Sequence, residues 1–281
     1  MIVFDTRSNV LHTPPRCRLL RTRDGIFLVS ETNRDAGASR IISDASARRY
    51  PYRTVTRPIG TYSWSVLNQE DRTMQTVELF CGTKSFSSVA ARRNHATFTL
   101  DIVAAFAPDI LGDIRAVSAS QLPRNPVVLW ASPPCQAFSV AAQYRNWNRD
   151  WTPKHPRVIE AQKVVRKTLA LISELKPDWW FIENPRGMLR HMPFMRGFRR
   201  ETVAYCQYGS TVQKPTDIWT NAYWWHPRPV CPQGSPCHDP SPRGARGGTQ
   251  ALRGAMERSR IPAGLFDEIF SQLEARYRSA R

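Results

Sequence analysis

The chain has 281 residues, 41% hydrophobic and 22% charged, which suffices for one large core with small appendages. Forty Lys and Arg against 23 Asp and Glu leave a net charge of +17, pointing to a polyanionic partner with nucleic acid the first candidate. No stretch approaches the ~18 apolar residues of a membrane helix, no signal-peptide order opens the chain, and six scattered cysteines make no disulfide framework, so a soluble cytoplasmic protein with reduced thiols is expected.

Residues 1–74 read as a basic N-terminal extension of unassigned role, with short β-like runs such as Gly25–Ser30 and no recognisable motif. From Thr76 the texture changes. Thr76-Val77-Glu78-Leu79-Phe80 predicts a strand, Cys81-Gly82-Thr83-Lys84-Ser85 a turn, Phe86 onward a helix, and Ala96-Thr97-Phe98-Thr99-Leu100 a second strand ending at Asp101. Strand, small-residue turn, helix, strand and terminal acid is the order of a dinucleotide-type half-sheet. There, N–H groups at the helix start face the ligand and the acid meets ribose hydroxyls.

Gly112-Asp113-Ile114 follows, and then the apolar run Val127-Val128-Leu129-Trp130-Ala131 leads into Ser132-Pro133-Pro134-Cys135-Gln136-Ala137-Phe138-Ser139. Two prolines fix φ and give up two backbone donors, so they hold the Cys135 thiol at a defined angle at a strand's carboxyl end. The polar, aromatic stretch over residues 143–151 is too long for a simple connection. It reads either as a substrate-contacting loop or as a loop packing its own tryptophans onto the surface.

Residues 156–176 have helical spacing, with Val158, Ala161, Val164, Val165, Leu169, Ile172 and Leu175 on one side and Lys163, Arg166 and Lys167 largely opposite. Pro177 stops the helix, and Trp179-Trp180-Phe181-Ile182 forms a buried strand ending at Glu183-Asn184-Pro185-Arg186-Gly187. An acid where such a strand emerges is either structural or catalytic, and a second group nearby favours the latter. Further on, His226, Cys231, Cys237 and His238 have a spacing that could supply four zinc ligands but match no paired-Cys pattern. The alternative is a Pro-rich loop that contains two cysteines, and no metal is assigned.

Glu78-Leu79-Phe80-Cys81-Gly82, Gly112-Asp113-Ile114, the Pro-Pro-Cys-Gln segment with Phe138-Ser139, and Glu183-Asn184-Pro185-Arg186-Gly187 together resemble, in order and spacing, the DNA cytosine-5 methyltransferase family. The resemblance covers about residues 76–221. It implies an α/β fold, a Rossmann-like S-adenosylmethionine-dependent methyltransferase sheet with helices on both faces. The catalytic domain would span residues 75–221, a short target-recognition loop 222–250, and a closing helix would lie in 251–281. The implied activity is methylation of cytosine C5 in double-stranded DNA by a monomer, through a covalent adduct to a flipped-out base.

By the same resemblance, Cys135 would attack C6 and Glu183 would act at N3. Lys214 would take a charge role, because the family's spaced arginines after Gln213 are absent; aligning the glutamines instead puts Pro215 and Asp217 in those places. Phe80, Cys81, Gly82, Thr83, Asp101, Ile102, Asp113, Ile114 and Pro133 would line the S-adenosylmethionine site, and Gln136, Ser139, Asn184 and Arg186 the substrate site. Lys84 departs from the glycine-rich turn of the family and either crowds the cofactor or points outward. Compact chains with this pattern look phage-type. Two other readings are an exocyclic amino methyltransferase, where an aromatic residue would stand at Cys135, and a nucleic-acid-binding protein on a degenerate fold, which would need neither Cys135 nor Glu183.

Overall fold

The structure is a computed structural model that describes residues 73–240 and 254–279, together with the backbone of four N-terminal strands. The chain divides into two compact units, residues 1–71 and 72–281. In the first, β1 (Val3–Asp5) pairs antiparallel with β2 (Val10–His12), and β3 (Cys17–Thr22) pairs antiparallel with β4 (Gly25–Ser30). The remainder of residues 1–72 and the Arg/Gly segment 243–248 lie outside the described residues.

The second unit is built on one seven-stranded sheet. Its strands are β5 (Gln75–Leu79), β6 (Ala96–Asp101), β7 (Ile110–Leu111), β8 (Val128–Ala131), β9 (Trp179–Pro185), β10 (Arg199–Ala204) and β11 (Pro215–Thr220), in the spatial order β10-β11-β9-β8-β5-β6-β7. Neighbours from β9 through β7 run parallel, whereas β11 is antiparallel to both β9 and β10. Parallel strands are covered on both faces, which is why β8 is a continuous apolar run with all four residues buried.

Side chains alternate between two cores. Leu129 and Ala131 of β8 and Trp180 and Ile182 of β9 face one cluster, which includes Val158, Val165, Leu171, Ile172 and Leu175 from α3 (Pro156–Leu175). Val128, Trp130 and Phe181 face the other, with Phe86, Val89 and Ala90 of α1 (Ser85–Arg92) and Leu265, Phe266, Ile269 and Phe270 of α5 (Ala263–Ser279). Trp130 stacks between Phe86 at 5.9 Å and Phe181 at 5.8 Å and meets Phe266 edge-on at 4.7 Å. Burying a large apolar side chain of this kind stabilises by about 1.5–3 kcal/mol. The Gln143–Asn146 segment, read from sequence as loop, forms one short turn of helix, α2; a further short helix, α4 (Ala255–Ser259), precedes α5.

Two local devices set the strand ends. No acid stands in the first turn of α1, and its N–H groups are met from the neighbouring strand: Glu78 accepts from Phe86 N at 3.2 Å and Ser87 N at 2.9 Å. Burial lifts the Glu78 carboxyl to about 7 despite those bonds. At the far end of α3, Lys176 adopts a left-handed conformation and Pro177 prevents continuation.

Candidate active site

From β5 the chain winds outward through β6 and β7, then returns to place β8 on the opposite side of β5. That reversal opens a crevice at the carboxyl ends of β5 and β8, the position where open α/β sheets take ligands. The turn after β5 is tightly wound, with Phe80, Gly82 and Lys84 at φ of 60°, 46° and 56°. Asp101, buried at the end of β6, fixes it by accepting from Gly82 N at 2.8 Å, and its second oxygen accepts from Val103 N at 2.9 Å.

Asp113 sits past β7, where it accepts from Arg115 N at 2.9 Å and pairs with the Arg115 side chain. Ile114 is buried, Pro133 is buried, and Ile102, directly after Asp101, is 65% exposed. Lys84 reaches outward across the turn to donate to Ala107 O at 2.7 Å. Thr83 Oγ1 and Ser85 Oγ lie 3.2 Å apart.

Two thiols lie near these strand ends, and their surroundings separate them. Cys81 is buried, and desolvation together with the charges of Glu78 and Asp101 pushes its thiol up to about 12. Such a thiol stays protonated and unreactive. Cys135 is half-buried at the end of β8; burial and the charge of Glu183 raise it, whereas Lys214 and Arg258 pull it down. Glu183 lies at the end of the adjacent parallel strand, one residue beyond the Ala131↔Ile182 register pair. Its carboxyl accepts from the Tyr205 hydroxyl at 2.8 Å, and burial raises it above the usual carboxylate range against the pull of Lys214 and Tyr205.

The segment carrying Cys135 is fastened from three directions. Asn184, on the opposite face of β9 from Glu183, is fully buried and donates from Nδ2 to Pro133 O at 2.9 Å, while its Oδ1 has no hydrogen-bond partner among the described residues. Gly187 lies against the far side of the turn. A Cβ there would stand 2.2 Å from Phe138 O, so only glycine permits the Ser139↔Gly187 bridge and the 2.6 Å bond from Met188 N to Phe138 O. From the loop after it, Asn146 Nδ2 and Trp147 Nε1 donate to Ala137 O at 3.2 and 2.7 Å.

Gln136 and Arg186 are exposed, and Ser139 is half-buried. A cleft of about 360 Å³ beside the turn is lined by Pro134, Gln136, Ala137, Arg145, Asn146 and Arg157. Tyr144, 85% exposed, and the exposed Arg145 and Arg149 project from the loop, while Trp147 is buried and Trp151 stacks on His191 at 4.5 Å. One buried tryptophan anchors the loop, and other side chains are presented to solvent.

Lys214 has its ammonium 4.6 Å over the Tyr205 ring and donates to Arg258 O at 2.7 Å. Arg258, on α4, has no counterpart in the sequence motifs. It is found only through the fold, which brings its carbonyl to Lys214, directly before β11. Asp217, at one of the missing arginine places, is fully buried and paired with Arg190, whose Nε lies 2.9 Å from it. Tyr205 is likewise absent from the motif set. Its identity is ordinary for a core residue, and only its packing over Glu183 singles it out.

The Cys/His group gathers differently from its sequence spacing. Cys206, Cys231, Cys237 and His238 place their ligand atoms within 4.8 Å of one another, whereas His226 is exposed and stands outside this group. Cys206 is 25 residues upstream of Cys231, and no local spacing signals it.

The strand order and the positions of the thiol and the acid define the class: an open, mostly parallel α/β sheet with a cysteine and a buried acid beside its carboxyl-end crevice. Residues 74–194 match the family model of C-5 cytosine-specific DNA methylase. The chain is 26% identical over 167 residues, 55% of its length and 74% of the relative's, to a probable DNA (cytosine-5)-methyltransferase of Frog virus 3 (isolate Goorha).

Among solved structures, similarity extends to a putative DNA modification methyltransferase encoded within an E. coli prophage, at 15% identity and a TM-score of 0.39 over 53% of this chain and 46% of that one. It extends also to the S. pombe Dnmt2 methyltransferase, at 13% identity and a TM-score of 0.36 over 53% and 49%. The chain thus spans about half the length of these solved structures. Among the described residues no helix is long and apolar enough to cross a membrane.

Proposed function

We propose that the protein methylates C5 of cytosine in double-stranded DNA through a transient bond between Cys135 Sγ and C6 of a base turned out of the helix. The observation that carries this reading is the placement of the half-buried Cys135, in the turn after β8, beside the buried acid Glu183 on the adjacent parallel strand β9. C5 of cytosine is a poor nucleophile. Addition of the thiolate to C6 moves the ring's π electrons towards C5, while Glu183, whose proton affinity burial raises, gives or holds a proton at N3. After C5 is alkylated, a base takes its proton and the C6–S electrons return to Cys135.

The crevice residues fit S-adenosylmethionine. Asp101 and Asp113 provide acceptors at successive strand ends, and Ile102, an otherwise unexplained exposed apolar side chain, offers a flank for a purine. Phe80, Cys81, Gly82, Thr83, Ile114 and Pro133 would complete the wall. Bound there, the cofactor supplies an electrophilic methyl group. Lys214 and Arg258 stabilise the attacking thiolate and replace the motif arginines that the chain lacks. Gln136, Ser139 and Arg186 line the approach to the base, the unpartnered Asn184 Oδ1 offers it an acceptor, and Tyr144, Arg145 and Arg149 reach the phosphates and unstacked bases.

DNA containing 5-fluorocytosine, incubated with the protein and labelled S-adenosylmethionine, tests the mechanism, because fluorine cannot leave C5 as a proton does. A covalent complex is expected with the unaltered chain and none with Cys135→Ala, which should still bind DNA in a salt-sensitive manner. Label transfer by the alanine variant would refute the thiol mechanism.

A further inference from the structure

We propose that Cys206, Cys231, Cys237 and His238 bind one Zn²⁺ ion, which staples the segment after β11 to the turn beside the catalytic acid. Cys206 lies in the Tyr205–Tyr208 turn behind β10, whereas the other three belong to residues 222–240, a stretch with no strand or helix. The sulfur of Cys206 stands 3.3 Å from that of Cys231 and 3.7 Å from that of Cys237. His238 Nδ1 is 3.6 Å from Cys231 Sγ and 3.5 Å from Cys237 Sγ.

Tetrahedral zinc, with bonds of about 2.3 Å to sulfur and 2.0–2.1 Å to nitrogen, requires ligand separations of about 3.8 Å for S···S and 3.5 Å for S···N. Three of these four edges lie within about 0.1 Å of that tetrahedron, the Cys206–Cys231 edge is about 0.5 Å shorter, and all four ligand atoms lie within 4.8 Å of one another. A disulfide does not account for them, since it requires sulfurs about 2.05 Å apart and would use two of three thiols. Three thiols and an imidazole are also the donor set zinc takes in structural sites, where four protein ligands close the coordination sphere.

The surroundings suit thiolates. Gln207 Nε2 lies 3.3 Å from Cys237 Sγ, and Gln213 Nε2 lies 3.4 Å from Cys231 Sγ and donates to Cys231 O at 2.8 Å. Two amide donors directed at sulfur are the outer-shell support that metal-bound thiolates receive. On binding, the three thiols lose their protons to solvent and no electron is transferred.

The consequence for the fold is a crosslink where apolar burial is thin. Residues 226–240 are mostly exposed and are tied down by few polar contacts, such as Asp239 N to Thr211 O at 2.8 Å and Arg228 to Glu268 at 2.9 Å. Cys206 directly follows Tyr205, whose hydroxyl holds Glu183. The ion therefore fixes the segment after β11 and the backbone of a residue that touches the catalytic acid.

Metal analysis of the purified full-length chain tests the proposal without any measurement of methyl transfer. One zinc per chain is expected, and replacement by Co²⁺ should give a thiolate-to-cobalt charge-transfer band with tetrahedral visible bands. His226→Ala should keep the zinc. Cys237→Ser, at the most exposed ligand, should lose it while the circular dichroism of the sheet persists. Gln213→Ala should retain the ion with affinity weakened about 10–100-fold. Folded chain with substoichiometric zinc, a Cys206–Cys231 disulfide by mass spectrometry, or iron in place of zinc would overturn the proposal, as would metal loss in His226→Ala.

Discussion

Cys135 and Glu183 are both raised by burial and each is affected by the same Lys214 cation, so their protonation is a property of the pair. In the proposed mechanism the productive form holds one proton between them: an ionised thiol for C6 and a protonated carboxyl for N3. Below the Glu183 range both are protonated and the nucleophile is lost; above the Cys135 range both are ionised and N3 receives no proton. A plot of kcat/KM against pH should therefore be bell-shaped. Glu183→Gln should lower kcat by about 10²–10⁴-fold and convert the bell into a single rise with pH. The midpoint of that rise should lie below the alkaline limb of the unaltered enzyme, because the Glu183 charge that raises the thiol is gone. Stopped-time methylation assays across pH 5 to 10 would check both features.

At the scale of elements, the site is the meeting of two strand ends, and Gly187 is where they touch. Its φ of 176° suits any residue, so the requirement is one of space alone. Gly187→Ala should push the Phe138 carbonyl away, break the bond from Met188 N and destabilise by about 1–3 kcal/mol. Because Phe138 follows Cys135 by three residues, adduct formation with 5-fluorocytosine DNA should fall more than tenfold. Gly197→Ala, at φ +90° with nothing within 4 Å, supplies the comparison: strain of about 1 kcal/mol with adduct formation retained. Thermal melts alongside trapping would separate the two.

For the whole molecule, the net charge of +17 makes salt dependence the informative measurement. Each phosphate neutralised contributes about −0.9 to the slope of log K against log salt. Arg145→Ala and Arg149→Ala, exposed on the loop that frames the cleft, should each reduce that slope by about one while leaving cofactor binding unchanged. Equal slopes in variant and unaltered protein would remove the loop from the DNA interface.

The amino-acid order by itself determined β5, α1, β6, β8, α3 and the start of β9, because buried parallel strands and amphipathic helices write their periods into local composition, but it did not show β7 or α2. It placed the Cys135 turn behind β8 and Glu183 on β9 for a related reason, since each stands in a contiguous motif. The strand order and the crevice it opens came only with the tertiary structure. So did Tyr205 over Glu183, Arg258 beside Lys214, Arg190 paired to Asp217, and Cys206 in place of His226 among the gathered ligands. Each of those depends on residues distant in the chain being packed within a few ångströms, and no local period or spacing records such a contact.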